Sequence, residues 1–327
     1  MTGVEANGQN ILLLSAGRRV ELLNGIQAAA SRLIPSAVVI CADYDPAMSS
    51  ACQKCGIFFS LPRATDPHYA DVLLTLCLDQ GVGLVIPTID TELLVLAQLR
   101  DKFAISGVTL MVSDKALIAA CRDKRQTSKL FHALGMPTPE IFLPDAIQFP
   151  CFSKPAGGSS SIGAFRIEDD SQLTPLLLSE SDRMFMELVP DGLREITIDI
   201  YYDRHGRMQA AVPRERLAVR AGEIAKGVTR RDWVYSLLTA RMSALAGARG
   251  CLTLQLFADD TAQAIFAIEI NARFGGGYPL ALAAGADYPA WLIREYLLGE
   301  EISYFDDWET DLLMLRYDAK VLVHGHR

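Results

Sequence analysis

The first 113 residues alternate short apolar runs with segments of helical periodicity. Apolar runs at 11–17, 37–45, 81–90 and 108–113 predict buried strands, and the stretches from Val20, at 73–80 and at 92–103 predict helices between them. Parallel strands need long crossover connections, usually through a helix, so this alternation indicates a parallel sheet covered by helices. We therefore predict an α/β domain of the Rossmann type over residues 1–113.

The turn after the first predicted strand, residues 15–19, lacks the GxGxxG pattern of dinucleotide-binding sites. Arg18 and Arg19 stand where that pattern has glycines for the close approach of a pyrophosphate. Two arginines at a helix N-terminus would bind an anion well. We interpret them either as a site for a substrate carboxylate or phosphate, or as ordinary surface arginines.

Charge and hydropathy restrict the partners of the chain. Its 327 residues carry a net charge of −8, which argues against nucleic acid as the main partner. No apolar run reaches the roughly 20 residues that span a bilayer. The first ten residues carry no basic region, and the apolar run at 11–14 is too short for a signal peptide. We expect a cytoplasmic protein that binds neither nucleic acid nor a membrane.

The seven cysteines are scattered, apart from the pair Cys52 and Cys55 in a CxxC spacing. A single CxxC is weak evidence for zinc. The favoured interpretation is a pair of reduced thiols in a reducing compartment, and the sequence assigns the pair no role.

After residue 113 the pattern changes to two short helices and then to short strands. The helices are predicted at 114–134 and end at Gly135, which is followed by an extended connector. Strands are predicted at 150–156, 184–189, 194–203, 208–217, 252–258 and 266–271, with a hairpin turn at 203–206 and a helix at 233–248. This pattern predicts an α+β domain over residues 114–327.

A lysine on a strand precedes a loop of glycines and serines. Lys154 belongs to the strand at 150–156, and the loop follows at 157–163. Backbone N–H groups of such a loop can surround phosphate oxygens, although the pattern is not that of a P-loop. A loop of this composition alone is more typical of a linker, and the lysine favours phosphate binding. The candidate residues in the loop are Gly157, Gly158, Ser159, Ser160 and Ser161.

The segment 186–195 could bind the rest of a nucleotide. Backbone groups at Glu187, Leu188 and Val189 could read the adenine edge, and Glu195 could accept hydrogen bonds from both ribose hydroxyls. The alternative is an edge strand with solvated acids.

The strand at 266–271 ends in a carboxylate, a carboxamide and a guanidinium. Strict alternation would place Phe266, Ile268 and Ile270 on one face and Ala267, Glu269 and Asn271 on the other. Gln255 lies fourteen residues before Glu269, across a turn, so an antiparallel pair would set the two side by side. Oxygen ligands from Gln255, Glu269 and Asn271 suit Mg²⁺. The alternative is a buried ion pair between Glu269 and Arg273.

Taken in order, these residues resemble the ATP-grasp superfamily, and most closely its carbamoyl-phosphate-synthase-like branch, which includes the pyrrolysine-pathway ligase. The resemblance covers nearly the whole chain. It implies a Rossmann-like pre-ATP-grasp domain over residues 1–113 and a two-part α+β ATP-grasp domain over 114–327. The second domain would comprise linker helices and a small lid at about 114–190, and a C-terminal subdomain with the metal site at about 191–327.

The resemblance also implies roles for the candidate residues. Lys124 and Lys154 would hold the ATP phosphates, and the 157–163 loop would close over them. Gln255, Glu269 and Asn271 would bind two Mg²⁺ ions, with Mn²⁺ as a substitute, and Arg273 would stabilise the phosphorylated carboxylate. Many members of the family have an acid where Gln255 stands, which would weaken the first metal site.

A local excess of basic residues lies between 214 and 231, and Arg214 and Lys226 within it are further catalytic candidates. Such cations could lower the barrier to an acyl-phosphate step. The alternative is a solvated basic face. The complete basic set is Arg214, Arg216, Arg220, Lys226, Arg230 and Arg231.

The resemblance implies an ATP-dependent carboxylate–amine ligase that forms an amide through an acyl phosphate and releases ADP and phosphate. We expect small-molecule carboxylate and amine substrates and a homodimer as the assembly. Two alternatives stay open. One is a kinase-like or carbamoyl-phosphate-forming enzyme acting on a small carboxylate, and the other is an ATP-binding module without turnover.

Overall fold

The N-terminal part is a parallel sheet covered by helices, as predicted. The computed structural model describes residues 8–158, 162–220 and 222–325. Its first sheet has the strand order β3-β2-β1-β4-β5 with every pairing parallel, the arrangement of a Rossmann domain. The elements are β1 Asn10–Leu14, α1 Val20–Leu33, β2 Val39–Asp43, α2 Ser50–Cys55, β3 Phe58–Ser60, α3 Tyr69–Asp79, β4 Val82–Ile86, α4 Asp90–Ile105 and β5 Thr109–Leu110.

Two short helices connect this sheet to the rest of the chain, again as predicted. They are α5 Lys115–Arg122 and α6 Lys124–Ala133. The carboxylate of Asp123 caps α6 by accepting a hydrogen bond from the backbone N–H of Arg125. Gly135, with φ +68°, follows the second helix in the left-handed conformation that glycine adopts easily.

A small four-stranded sheet follows, with the order β6-β9-β7-β8. Its side chains form two small apolar clusters, one around Phe185 and one around Met184 and Met186, that are separate from the main core. We call residues 141–187 the lid. Its elements are β6 Ile141–Phe142, β7 Cys151–Pro155, β8 Phe165–Ile167, α7 Pro175–Ser179 and β9 Arg183–Glu187.

The C-terminal part is built on a six-stranded antiparallel sheet with the order β14-β13-β10-β11-β12-β15. The helix predicted at 233–248 ends seven residues early, because the backbone N–H of Met208 bonds the carbonyl of Ser243 and Gly247 turns the chain with φ +77°. The elements are β10 Arg194–Tyr202, β11 Met208–Arg220, β12 Glu223–Thr229, α8 Trp233–Arg241, β13 Gly250–Asp259, β14 Ala264–Asn271, α9 Tyr278–Ala283, α10 Tyr288–Tyr296 and β15 Leu313–Leu315.

The N-terminal sheet and the C-terminal subdomain share one core. Leu12 and Leu14 of β1 belong to the same apolar cluster as Ile196 and Ile198 of β10. Helices α9 and α10 pack on α1. The predicted divisions at 113 and 190 fall between β5 and α5 and between β9 and β10, and they remain a proposed domain organisation. Within the described ranges, no helix combines the length and the apolar composition needed to cross a bilayer.

Candidate active site

The register of two strands brings the predicted metal ligands together. In the antiparallel pair of β13 and β14, Gln255 lies directly opposite Glu269, and Thr253 lies opposite Asn271. The side-chain amide of Asn271 donates a hydrogen bond to Glu269 Oε1 over 3.0 Å. The expectation that Gln255 and Glu269 are neighbours is therefore confirmed.

The strict alternation predicted for β14 is wrong at one position. The pairing of β13 with β14 passes from Glu269 to Ala267, so Ile268 has no partner and forms a bulge. Because of this bulge, Ala267 is buried in the core together with Ile270. Strict alternation had instead predicted Ala267 on the same face as Glu269. Glu269 and Asn271 remain half-buried at the strand end.

The oxygen atoms of this set fit a magnesium ion that is held largely by a nucleotide. The Gln255 amide donates to Glu195. Within residues 8–158, 162–220 and 222–325, neither Gln255 Oε1 nor Glu269 Oε2 accepts a hydrogen bond. Mg²⁺ commonly takes one or two carboxylates and completes its coordination with phosphates and water. Of the three predicted ligands only Glu269 carries a carboxylate, and the described residues contain no cluster of three or more His, Cys, Asp or Glu.

A cleft joins the β14 end to the first residue of α6. Lys124, Gly158, Glu269 and Asn271 line it together with Asp90. Lys124 Nζ donates to the carbonyl of Gly158 over 2.9 Å, and its backbone N–H donates to Ala156. The helix N-terminus and the start of the glycine loop therefore face the predicted metal ligands. Gly157 belongs to the same loop, whereas Ser159, Ser160 and Ser161 lie outside the described residues.

Lys154 is a buried cation near the same cleft. Only 9% of the residue is exposed, and burial lowers the pKa of its ammonium group to about 8. The Lys124 charge contributes to this lowering, whereas the Glu269 charge opposes it. No described carboxylate lies within ion-pair distance of Lys154. A buried ammonium without a protein counter-ion is suited to a negatively charged ligand.

The predicted nucleotide segment leaves the lid at the end of β9. Glu187, Leu188 and Val189 are half-buried there, and Glu187 Oε2 accepts a hydrogen bond from the backbone N–H of Glu140 over 3.1 Å. The Glu195 carboxylate accepts from Arg216 and from Gln255. These two partners would compete with a ribose, so the sugar-binding role of Glu195 stays a prediction.

The N-terminal domain supplies a carboxylate that sequence reasoning missed. Asp90, the first residue of α4, accepts hydrogen bonds from Arg273 Nη2 at 2.7 Å and from Nε at 3.2 Å. Arg273 Nη2 also donates to Asn271 Oδ1 over 3.2 Å. Asp90 is the last residue of the segment 81–90, which was predicted as a strand and the turn at its end. This position at the end of a strand is the only sequence signal that could have identified Asp90 as a site residue. The guanidinium of Arg273 therefore bridges the metal candidates and the first domain.

Arg214, a catalytic candidate, is buried beside the glycine loop that follows β14. It is 1% exposed and forms a two-point ion pair with Asp199, with Nε–Oδ2 2.7 Å and Nη2–Oδ1 3.1 Å. A Cβ at Gly277 would lie 2.0 Å from Arg214 Nη1, so only glycine allows this packing. Its role at the substrate stays a prediction, because the pair with Asp199 shows only that the side chain is held in the core, where it packs against the glycine loop.

The other arginines of the basic segment are largely neutralised by ion pairs, most of them with acids from outside the segment. Lys226 is exposed on β12 and has no ion pair with a described residue, so its catalytic role stays a prediction. The cationic excess seen in the sequence is thus mostly absent from the folded surface. The pairs are Arg216–Glu195, Arg220–Asp318, Arg230–Glu215, Arg230–Asp311 and Arg231–Asp306.

The two arginines of the first turn have different environments. Arg18 has a side chain that is 78% exposed and lies 3.6 Å from Glu223. Arg19 is half-buried, and its Nη1 lies 3.3 Å from the position that a Cβ of Gly276 would occupy. The structure therefore brings Arg19 against the glycine loop that follows β14.

The CxxC cysteines lie on α2, away from the cleft. Cys52 is buried and Cys55 half-buried, and every cysteine of the chain is a free thiol. The neighbouring Cys41 thiol is the main cause that lowers the pKa of Cys55 to about 7.

Two sequence models match the chain. A PylC-like N-terminal domain matches residues 11–111, and the model described as ATP-grasp in the biosynthetic pathway with Ter operon matches residues 179–318. The chain therefore combines a PylC-like N-terminal domain with an ATP-grasp domain. None of the curated proteins that were compared with it matches its sequence.

Solved structures share the ATP-grasp fold over nearly the whole chain. The biotin carboxylase domain of 2-oxoglutarate carboxylase from Hydrogenobacter thermophilus has a TM-score of 0.72 at 16% identity, covering 94% of this chain and 73% of that one. An L-amino acid ligase from Bacillus licheniformis has a TM-score of 0.67 at 16% identity, covering 89% and 74%. N5-carboxyaminoimidazole synthetase from Staphylococcus aureus has 0.66 at 14%, covering 94% and 80%.

Proposed function

We propose that this ATP-grasp protein is an ATP-dependent ligase that joins a small carboxylic acid to an amine. The observation that carries the proposal is the cleft in which Glu269 and Asn271 face Lys124 and Gly158, with Gln255 directly opposite Glu269. One wall offers oxygen ligands for a cation, and the other offers an ammonium group and a glycine loop. Groups of this kind bind a metal–nucleotide complex.

The nucleotide would occupy the space between the lid and β14. Lys124, Lys154 and the 157–163 loop would hold its phosphates, and the segment 187–189 would hold the adenine. The structures of 2-oxoglutarate carboxylase and N5-carboxyaminoimidazole synthetase were solved with MgADP and ADP, which supports this assignment. Gln255, Glu269 and Asn271 would hold two Mg²⁺ ions, or Mn²⁺ in their place. A bound cation would neutralise phosphate charge.

The proposed reaction has two steps. A carboxylate oxygen of the acid forms a bond to the γ-phosphorus of ATP, and the bond between that phosphorus and the β–γ bridging oxygen breaks to release ADP. The amine nitrogen then bonds to the acyl carbon, the carbon–oxygen bond to phosphate breaks, and the amine loses a proton. Arg273, held by Asp90 next to Asn271, would stabilise the charge that develops on the acyl phosphate.

A second candidate is phosphorylation of bicarbonate. The 2-oxoglutarate carboxylase domain was solved with bicarbonate as well as MgADP, and its fold covers most of this chain. ADP release that depends on bicarbonate, with no response to organic acids, would favour this candidate over the ligase.

The test is a screen for ADP release with small organic acids and amines, each alone and in pairs. The ligase predicts slow ADP release with the correct acid alone and a rise when the amine is added, because the acyl phosphate is shielded from water. Hydroxylamine, as a small substitute amine, should trap the acid as a hydroxamate. A stable phosphorylated product without any amine would favour a kinase, and ATP binding without turnover would favour a regulatory module.

The compartment and the assembly remain proposals. Seven free thiols agree with a reducing compartment such as the cytoplasm. The 2-oxoglutarate carboxylase domain is described as a dimer, which supports the expected homodimer. Light scattering of the purified protein would measure the assembly directly.

A further inference from the structure

Arg19 lies at the junction of the N-terminal domain and the glycine loop after β14. It is the residue that precedes α1. A Cβ at Gly276 would lie 3.3 Å from Arg19 Nη1 and 3.0 Å from the Glu223 carboxyl carbon, so both groups lie close to the backbone of this glycine. Three parts of the chain that are distant in sequence therefore meet at one point beside Arg273.

The acids near this point are already paired with other arginines. Asp90 accepts hydrogen bonds from Arg273, and Glu223 lies 3.2 Å from Arg316 and 3.6 Å from Arg18. Arg19 forms neither an ion pair nor a side-chain hydrogen bond with any residue in the described part of the chain. It is therefore a surplus cation in a half-buried place.

The net charge around Arg19 also indicates a surplus of positive charge. The four arginines Arg18, Arg19, Arg273 and Arg316 face the two acids Asp90 and Glu223, and four minus two leaves a net charge of +2. The whole chain carries −8. Burial lowers the pKa of the Arg19 guanidinium, and the neighbouring charge of Arg273 lowers it further. A desolvated cation next to another cation costs free energy unless an anion joins them.

In the proposed reaction, one negative charge at this site would come from the carboxylate that reacts next to Arg273. The net charge of +2 could be balanced by a second negative charge. We propose that Arg19 binds a carboxylate that the reaction leaves unchanged, carried by the small substrate that lies beside Arg273. This proposal rests on the ligase function. The carboxylate would come from a dicarboxylic acid as the activated substrate, or from an amino acid as the amine.

Binding of probe compounds tests the site without turnover. The probes are dicarboxylic acids of two to six carbons and the common amino acids, each compared with its analogue lacking the extra carboxylate. With Mg²⁺ and ADP present, calorimetry should show at least one probe that binds at least about ten times more tightly than its analogue, the preference expected for one charged hydrogen-bonded pair. Arg19→Ala and Arg19→Gln should lose that preference.

Arg32→Ala is the matched control. It lies on the same helix, is exposed, and pairs only with Asp287 at 2.7 Å, so it should keep the preference. The melting temperature separates ligand binding from a structural role. Without ligand, both Arg19 variants should melt at or above the wild-type temperature, because they remove an unpaired cation. The proposal is overturned if no probe binds better than its analogue, if the Arg19 variants keep the preference, or if both melt well below wild type.

Kinetics identify the source of the carboxylate. If the acid carries it, Arg19→Gln should raise the KM of the acid about tenfold or more and leave the KM of the amine and of ATP near wild type. If the amine carries it, the KM of the amine should rise instead. An unchanged KM for both substrates would overturn the proposal. A wild-type protein without turnover would refute the ligase function, and the binding measurements would still decide the role of Arg19.

Discussion

At the scale of single residues, a buried carboxyl group supports the turn that carries Arg18 and Arg19. Glu92 is 2% exposed, and it accepts hydrogen bonds from the hydroxyl of Ser15 at 2.8 Å and from the backbone N–H of Thr88 at 3.2 Å. Ser15 has φ +48°, a strained value for a residue other than glycine. The Thr88 hydroxyl donates to the Ser15 carbonyl over 2.7 Å. This network holds the turn in one conformation.

Glu92 should make stability depend on pH. Burial raises its pKa from 4.5 to about 7, so the folded state binds its proton more strongly than the unfolded state, and stability falls as pH rises from about 4.5 to 7. Glu92→Gln can keep both contacts without the charge, because its oxygen accepts from Thr88 and its amide N–H can donate to the Ser15 hydroxyl. Denaturant unfolding should show the variant more stable than wild type by roughly 2 to 3 kcal/mol at pH 8 and by less than about 1 kcal/mol at pH 5.

The exposed neighbour Glu21 provides a control for this measurement. Glu21→Gln, on α1, should change stability little at either pH. A Glu92→Gln variant whose stability relative to wild type is the same at pH 5 and pH 8 would contradict the buried, protonatable carboxyl.

Glu269→Gln should separate metal binding from nucleotide binding. With one carboxylate in the site, Mg²⁺ should bind weakly to the protein alone and tightly only with ADP. Calorimetry should show that the variant loses ADP-dependent Mg²⁺ binding, and turnover should fall by about 100-fold or more. Glu301→Gln, at an exposed position, is the control. Normal turnover of Glu269→Gln at ordinary Mg²⁺ would show that the metal assignment is wrong.

Local spacing predicted part of the site, and contacts between distant segments supplied the rest. Gln255 and Glu269 lie on one hairpin, so a spacing of fourteen residues was enough to place them together. Asp90 meets Arg273 across 183 positions, and no local pattern reveals such a pair. The burial of Arg214 depends on its ion pair with Asp199. Counting the basic residues between 214 and 231 could not reveal this partner, because Asp199 lies on another strand.

At the scale of elements, the lid is the part most independent of the others. Its two small apolar clusters do not join the shared core, and Cys151, Ile167 and Phe185 form the larger of them. Few buried contacts mean a low free energy of local opening. The lid therefore has a small core of its own and weak attachment to the rest of the chain, as a cover over a nucleotide requires.

Hydrogen exchange should distinguish the lid from the main sheet. Without nucleotide, amides of β7 and β9 should exchange at least about ten times faster than those of β10 and β13, because opening the lid exposes little apolar surface. A non-hydrolysable ATP analogue with Mg²⁺ should slow exchange in β7 and β9 and leave β10 and β13 unchanged. Equal protection of both sheets without nucleotide would show that the lid does not open separately.

Some of the elements that sequence reasoning missed are short or partly exposed. Strand β3 has no fully buried residue, so its apolar signal is weak. Strand β12 was not predicted as a strand, and its residues were considered only as part of the basic segment. Its place in the sheet depends on pairing with β11, with two register shifts, and with β15. The helix predicted at 233–248 included Ser243, whose carbonyl instead accepts a hydrogen bond from Met208 of β11. In each case, pairing with a distant segment outweighed the local pattern.

At the scale of the whole molecule, the first domain contributes to the chemistry of the second. Their shared core fixes α4 against the end of β14, and the Asp90–Arg273 pair crosses that junction. Arg18 and Arg19 approach the C-terminal sheet from the same domain. The active site therefore depends on the position of a domain that holds none of the proposed nucleotide ligands.

Asp90→Asn tests this dependence. Both hydrogen bonds from Arg273 go to Asp90 Oδ2. An amide oxygen there accepts them more weakly because it carries no negative charge, so the guanidinium should be held less firmly in its orientation. Steady-state kinetics should show kcat reduced by about tenfold or more, with the KM of ATP within about threefold of wild type. A variant with normal kcat, or with a loss confined to the KM of ATP, would show that Asp90 does not position Arg273 for the reaction.

The central claim is that the acid is activated as an acyl phosphate, and transfer of oxygen tests it most directly. The acid identified by the screen is labelled with ¹⁸O in its carboxylate and converted with ATP and the amine. The account predicts that each released phosphate carries one ¹⁸O atom from the acid and that ADP is unlabelled, since the carboxylate oxygen stays on phosphorus when the amine displaces it. Label in AMP, or phosphate without label, would contradict it.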